Sequence, residues 1–116
     1  MVKKAAVEIR ARLMADDDRA FGPGKADLLD RIAETGSISE AARRLDMSYS
    51  RAWSLVSAMN KAFKAPLVDA ATGGRKGGGA QVTETGRGVL RHYREMQTAL
   101  TELAGEHLAP LKALLK

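Results

Sequence analysis

Between Gly36 and Pro66 the chain has room for two helices and almost nothing between them, and that spacing restricts the fold more than any other feature. Ser37 to Ser39 supply a cap, and Ala41, Ala42 and Leu45 form the apolar stripe of a short helix that ends near Asp46. Ser48 is placed to cap the next helix. Its Ala52, Val56, Met59 and Phe63 fall in a narrow band when successive residues advance by about 100°, and Pro66 stops it. Two helices joined only through Asp46 and Met47 must cross at a steep angle.

The flanking segments supply the rest of the fold. Val7, Ile9, Ala11 and Leu13 alternate with Glu8, Arg10, Arg12 and Met14, a period of two that predicts a strand with one face buried. Asp16-Asp17-Asp18 and Phe21-Gly22-Pro23-Gly24 break that pattern, after which Leu28, Leu29, Ile32 and Ala33 predict a helix over about 24–35, ending at Gly36. Residues 67–82 read as a hairpin: Leu67-Val68 goes out, Gln81-Val82-Thr83 returns, and Gly73 to Gly79 form a mobile tip. Thr83 caps a long last helix in which Leu90, Tyr93, Met96, Leu100 and Leu103 step by three and four. That helix is expected to weaken at Gly105 and Pro110, leaving Leu111 to Lys116 as a short amphipathic tail. No internal repeat is present. The fold class is mainly α with a small antiparallel sheet. A chain of 116 residues suits one domain, with 1–82 as its body and 83–116 as a dimerisation helix and tail.

The candidate site is the outer side of the helix after Ser48. Ser50, Ser54, Ser57 and Lys61 lie opposite the apolar band, with Arg51 and Lys64 on the flanks. A polar, small and basic surface of this kind fits the DNA major groove, where hydroxyls bond base edges and an arginine reaches guanine with two bonds. Ser48 and Tyr49, at the helix start, are further candidates for DNA contact, and Trp53 at the boundary is assigned to core packing. An ordinary amphipathic helix whose outer side meets only water is the competing reading, and the preceding helix counts against it.

Charge points the same way. The net charge is +5, and from Glu40 to Lys64 five basic residues face only Glu40 and Asp46, whereas the acids concentrate before residue 41. Arg75 and Lys76, flanked by glycines in the hairpin tip, are placed to settle on phosphates or in a minor groove. That loop lacks the Gly-Lys-Ser/Thr ending of a nucleotide-binding P-loop. With no cysteine, no histidine motif of metal spacing and no catalytic set, neither an enzyme nor a metal or cofactor site is expected; His92 and His107 read as surface or interface residues. No run approaches the roughly 18 apolar residues of a membrane span, and no signal-peptide core is evident, so a cytoplasmic protein is expected.

The stretch Gly36-Ser37-Ile38-Ser39-Glu40-Ala41-Ala42-Arg43-Arg44-Leu45-Asp46-Met47-Ser48 resembles the helix-turn-helix opening shared by LysR-type regulators and the ModE family of molybdate-responsive regulators. Ser48-Tyr49-Ser50-Arg51-Ala52-Trp53, Met59-Asn60, and Ala71-Thr72-Gly73-Gly74 with its glycine-rich continuation to Gly79 are similar to the ModE family, while Thr83-Glu84-Thr85-Gly86 is common to both. The likeness covers about residues 5–115. It implies a winged helix-turn-helix with three strands, the N-terminal one beside the wing hairpin, and dimerisation through the long helices.

Full-length members of that family bind molybdate in a C-terminal module. Here Leu108-Ala109-Pro110-Leu111 is linker-like and the sequence ends shortly after, so no oxyanion site carries over and no small-molecule site is identifiable. The expectation is a sequence-specific regulator of double-stranded DNA in a molybdenum-related context. It would be a homodimer zipped by Leu90, Tyr93, Met96, Leu100, Leu103 and Leu108 that sets two recognition helices on a palindromic operator. Changing Arg51 or Ser54 should relax sequence preference, and neutralising Arg75 and Lys76 should weaken all DNA alike. A non-specific, chromatin-like DNA binder and a protein-interaction module that has lost DNA binding are the alternatives.

Overall fold

The computed structural model describes residues 4–70 and 79–116. In chain order the elements are β1 (Leu13–Ala15), β2 (Asp18–Phe21), α1 (Pro23–Thr35), α2 (Ile38–Arg44), α3 (Tyr49–Ala62), β3 (Val68–Ala70), β4 (Ala80–Val82) and α4 (Glu84–Ala113). The core is built where α1, α2 and α3 meet. Leu28, Leu29, Ile32, Val56 and Met59 are fully buried there, and Phe21 of β2 and Leu67, just before β3, close it. Each such side chain contributes about 1.5–3 kcal/mol by leaving water.

The helix boundaries follow local chemistry. Pro23 opens α1, where its fixed φ suits the first turn and its missing N–H costs nothing. Gly36 closes it at φ 68°, a left-handed conformation natural to glycine, with its N–H on the Ile32 carbonyl at 2.8 Å. The Ser37, Ser48 and Thr83 hydroxyls accept from the backbone N–H of Glu40, Arg51 and Gly86, so all three expected caps are formed.

The N-terminal region differs from expectation. The alternating residues 7–12 form no strand; β1 starts only at Leu13 and pairs antiparallel with β2 across Asp16-Asp17. Alternation marks one side for burial, but a strand also needs a bonding neighbour, and 7–12 has none among the described residues. β2 itself fell within a stretch read as a break. Its signal is hidden by a bulge: Leu13 faces Phe21 and Met14 faces Arg19, leaving Ala20 as the extra residue. Ala20 and Phe21 are both buried although adjacent, which a regular strand forbids.

The expected three-stranded sheet is likewise absent among the described residues. β3 and β4 pair with each other, Val68 opposite Val82, as a separate two-stranded unit. β4 is tied to the helices by the Ala80 N–H on the Gly36 carbonyl at 2.9 Å.

The last helix also runs further than its composition suggests. α4 continues through Gly105 and Pro110 to Ala113, so the linker-like Leu108-Ala109-Pro110-Leu111 is helical. Pro110 removes one backbone bond close to the helix end, and Gly105 lies in open space, so neither defect outweighs the ladder around it. Thirty residues at about 1.5 Å each make a rod roughly 45 Å long. The radius of gyration is 17.4 Å, against about 13 Å for a compact domain of this length.

Candidate nucleic-acid interface

The turn between α2 and α3 sets the geometry of the site. Met47 N–H bonds the Ala42 carbonyl at 3.0 Å and Asp46 N–H bonds the Arg43 carbonyl at 3.2 Å, the two bonds that close a helix in a Schellman turn. Such a turn needs a left-handed residue, and Asp46 takes it at φ 53°. The chain therefore reverses within three residues, and the Ser48 cap launches α3 immediately.

α3 is sealed along one side and open along the other. Ala52, Val56 and Met59 are fully buried, whereas Ser48, Tyr49, Ser50, Arg51, Ser54, Ser57, Lys61 and Lys64 are all exposed. All seven described DNA-contact candidates thus share a free surface. Tyr49 is 54 % exposed and stands edge to face with Trp53 at 6.2 Å, and Trp53 is half-buried against the core. The tryptophan ring thus supports the tyrosine ring, which stays largely exposed. Arg75 and Lys76 lie outside the described residues.

The α2 surface beside this face is charged but internally paired. Glu40 accepts from Arg43 Nε at 3.0 Å and contacts Arg44 at 3.6 Å. The Arg43 bond, followed by the charges of Arg43 and Arg44, holds the Glu40 carboxyl below the usual carboxylate range. Arg44 also meets Glu34 at 3.6 Å, which ties α2 to α1.

Two positioning residues were not singled out from the sequence. Asn60, noted only within Met59-Asn60, accepts from the Leu67 and Val68 N–H groups at 2.8 and 3.1 Å and donates to the Val68 carbonyl at 3.1 Å. It fixes the start of the hairpin on the end of α3. Gly86 allows α4 to lie directly on that junction: a Cβ there would run into the Leu67 carbonyl and sit 2.7 Å from Val82 Cγ1. Thr83 completes the joint through its hydroxyl, which donates to the Pro66 carbonyl at 2.7 Å. An asparagine two residues before the helix end and a glycine in a helix's first turn were the available signals.

The expected dimer stripe divides in two. Tyr93 is buried in its own protomer, where its hydroxyl donates to the Ala11 carbonyl at 2.7 Å and its ring meets Phe21 at 5.1 Å; Leu90 packs on the same core. Tyr93 is held within the chain by its bond to the N-terminal segment, and Leu90 is partly buried against the core. Met96 and Leu103 are exposed, Leu100 and Leu108 are half-buried, and Leu111, Leu114 and Leu115 extend the apolar surface. His92 and His107 are exposed. Burial chiefly, with Asp27 adding to it, pushes the Tyr93 phenol above the ordinary tyrosine value.

Three packed helices, a tight turn before an outward-facing polar and basic helix, and a strand pair immediately after it define a winged helix-turn-helix. The chain matches the bacterial regulatory helix-turn-helix protein family of lysR type over residues 25–87, and it belongs to that family. It is 43 % identical to the molybdenum-pterin-binding protein MopA of Rhodobacter capsulatus over 97 residues, 80 % of this chain and 37 % of MopA. It is 38 % identical to the molybdenum transport protein ModE of Azotobacter vinelandii over 105 residues, 85 % of this chain and 39 % of that protein. With the DNA-binding transcriptional dual regulator ModE of Escherichia coli K12 the figures are 34 % over 113 residues, 94 % of this chain and 41 % of the relative. The chain fits the N-terminal helix-turn-helix part of these ModE-type proteins, and it spans about two fifths of their length.

Proposed function

We propose that this chain binds double-stranded DNA in a sequence-specific way as a homodimeric transcription regulator, in a molybdenum-related context and in the cytoplasm. The observation that carries the reading is the two-sidedness of α3: an apolar side sealed into the core and a hydroxyl- and arginine-bearing side left open. Arg51 and Ser54 are assigned to base edges, Ser48, Tyr49, Ser50, Ser57 and Lys61 to the groove and its phosphates, and Arg75 and Lys76 of the wing to phosphates or a minor groove. The molybdenum context rests on the names of the relatives.

The partner protomer is assigned to the free part of α4, through Met96, Leu100, Leu103 and Leu108. A long rod with an uncovered apolar side is the surface that a second copy covers symmetrically. No helix among the described residues is long and apolar enough to cross a membrane.

The test is selection of bound duplexes from genomic fragments, followed by measurement of affinity for the preferred and scrambled sequences. A preferred palindromic site, with its preference relaxed in Arg51→Ala or Ser54→Ala, supports the reading. Equal affinity for all sequences points to a chromatin-like binder, and no affinity at all points to a protein-interaction module.

A further inference from the structure

Two groups of basic side chains differ in their partners. Arg31, Arg43, Arg44 and Arg94 sit on carboxylates: Glu34, Glu40, and the Asp27 and Asp30 pair. In a second group of basic residues, among those described, all but one lack such a partner. Arg10, Arg12, Arg19, Lys25 and Arg51 converge from the N-terminal segment, β2, α1 and α3 on one open cavity of about 360 Å³, and no acidic residue among those described lines it. Among the described residues only Arg10 of this group has an acidic partner, Glu8 at 3.5 Å, and that pair is largely solvated. Five like charges around one concavity repel each other, and an anion seated there would relieve that repulsion.

Parts of the arrangement are fixed in place. Lys25 Nζ donates to the Arg19 carbonyl at 2.7 Å, which anchors its ammonium between β2 and the first turn of α1. The Arg12 side chain lies over Gly22, close enough that a Cβ there would come within 3.2 Å of its Cγ. Arg51 belongs both to this cavity and to the exposed side of α3, so the concavity is continuous with the recognition surface.

We propose that this concavity seats a backbone phosphate of the same duplex that α3 enters, clamping the strand that flanks the groove. The inference rests on the DNA-binding reading given above and extends it to a site on the N-terminal hairpin. The ligand chemistry is a phosphate oxyanion; cations presented by flexible side chains around an open bowl suit a phosphodiester, which must pass through rather than be enclosed. Such a contact holds the protein in register and carries no sequence information.

The experiment compares the full chain with the Arg12→Gln, Arg19→Gln double variant, whose side chains are exposed and outside the α3 contacts. Affinity is measured for the preferred and a scrambled duplex across a salt series, with ethylation interference at each phosphate. The expected result is a loss of roughly tenfold on both duplexes alike, a salt slope shallower by about 1, and disappearance of one interference position outside the α3 contacts. Unchanged affinity and slope overturn the proposal. So does a variant that loses binding of inorganic phosphate or sulfate alone, by calorimetry, while its DNA slope stays as before; the bowl is then a small-anion site. A wild type that binds scrambled and preferred duplexes equally, yet shows the slope change, sinks the sequence-specific reading and leaves the clamp standing. Absence of any duplex binding overturns both.

Discussion

Helices α3 and α4 are both amphipathic, yet the protomer treats them in opposite ways. α3 is anchored along its whole length by Ala52, Val56 and Met59, and what it turns outward is polar and basic. α4 is anchored near its start, by Gly86, Leu90, Tyr93 and the Arg94 contacts to Asp27 and Asp30; beyond Gln97 none of its residues joins the buried core formed by the described residues. An outward polar face calls for a polar, charged partner, and an outward apolar face calls for an apolar one. The same structural principle carries the proposal of DNA for one helix and of a second copy of the chain for the other.

The contrast breaks most visibly at the free half of α4. Leu100→Glu with Leu103→Glu is expected to weaken dimerisation roughly a hundredfold or more, since each buried leucine is worth about 2 kcal/mol. Sedimentation velocity should show a monomer while thermal stability measured on dilute protein changes little, because Leu103 is 56 % exposed in the protomer. A large loss of monomer stability would mean that this half is anchored after all. At the anchored end, Gly86→Ala should cost about 3 kcal/mol in denaturant unfolding, because its Cβ meets backbone that cannot swing aside.

A smaller effect comes from pH. Folding raises the Tyr93 phenol above its unfolded value, so its contribution is complete below the ordinary tyrosine range near ~10 and is lost as pH rises through the higher folded value. Alkaline titration followed by tyrosinate absorbance should therefore show a late-ionising component that coincides with loss of structure and vanishes in Tyr93→Phe. The smallest change sharpens the turn that launches α3. Asp46→Gly removes a side chain from a left-handed position and should stabilise by about 0.5–1 kcal/mol, read as an increase in the denaturant midpoint.

The helices and the outward side of α3 were legible in the sequence because each rests on local chemistry: a cap, a stop and a period near 3.6. Ser50, Ser54, Ser57 and Lys61 could be placed on one face without knowing any tertiary contact. What failed depended on neighbours. The alternation at 7–12 could not reveal that no strand among the described residues would lie beside it, and the bulge at Ala20 disguised β2. Tyr93 fitted the α4 stripe by spacing, but its hydroxyl bond to Ala11, 82 residues away in sequence, could not be foreseen. The basic bowl was hidden for the same reason, since Arg12, Arg19 and Arg51 are brought together only by the fold.

The chain has no cysteine, so a single thiol can be placed on the face in question without background. Ser54→Cys reports directly on whether that side of α3 enters the duplex. The account predicts fast reaction of this thiol with a small alkylating reagent in free protein and strong protection when the preferred duplex is bound, with a Glu95→Cys control on α4 unaffected. Equal reaction rates at Ser54→Cys with and without bound DNA would contradict it.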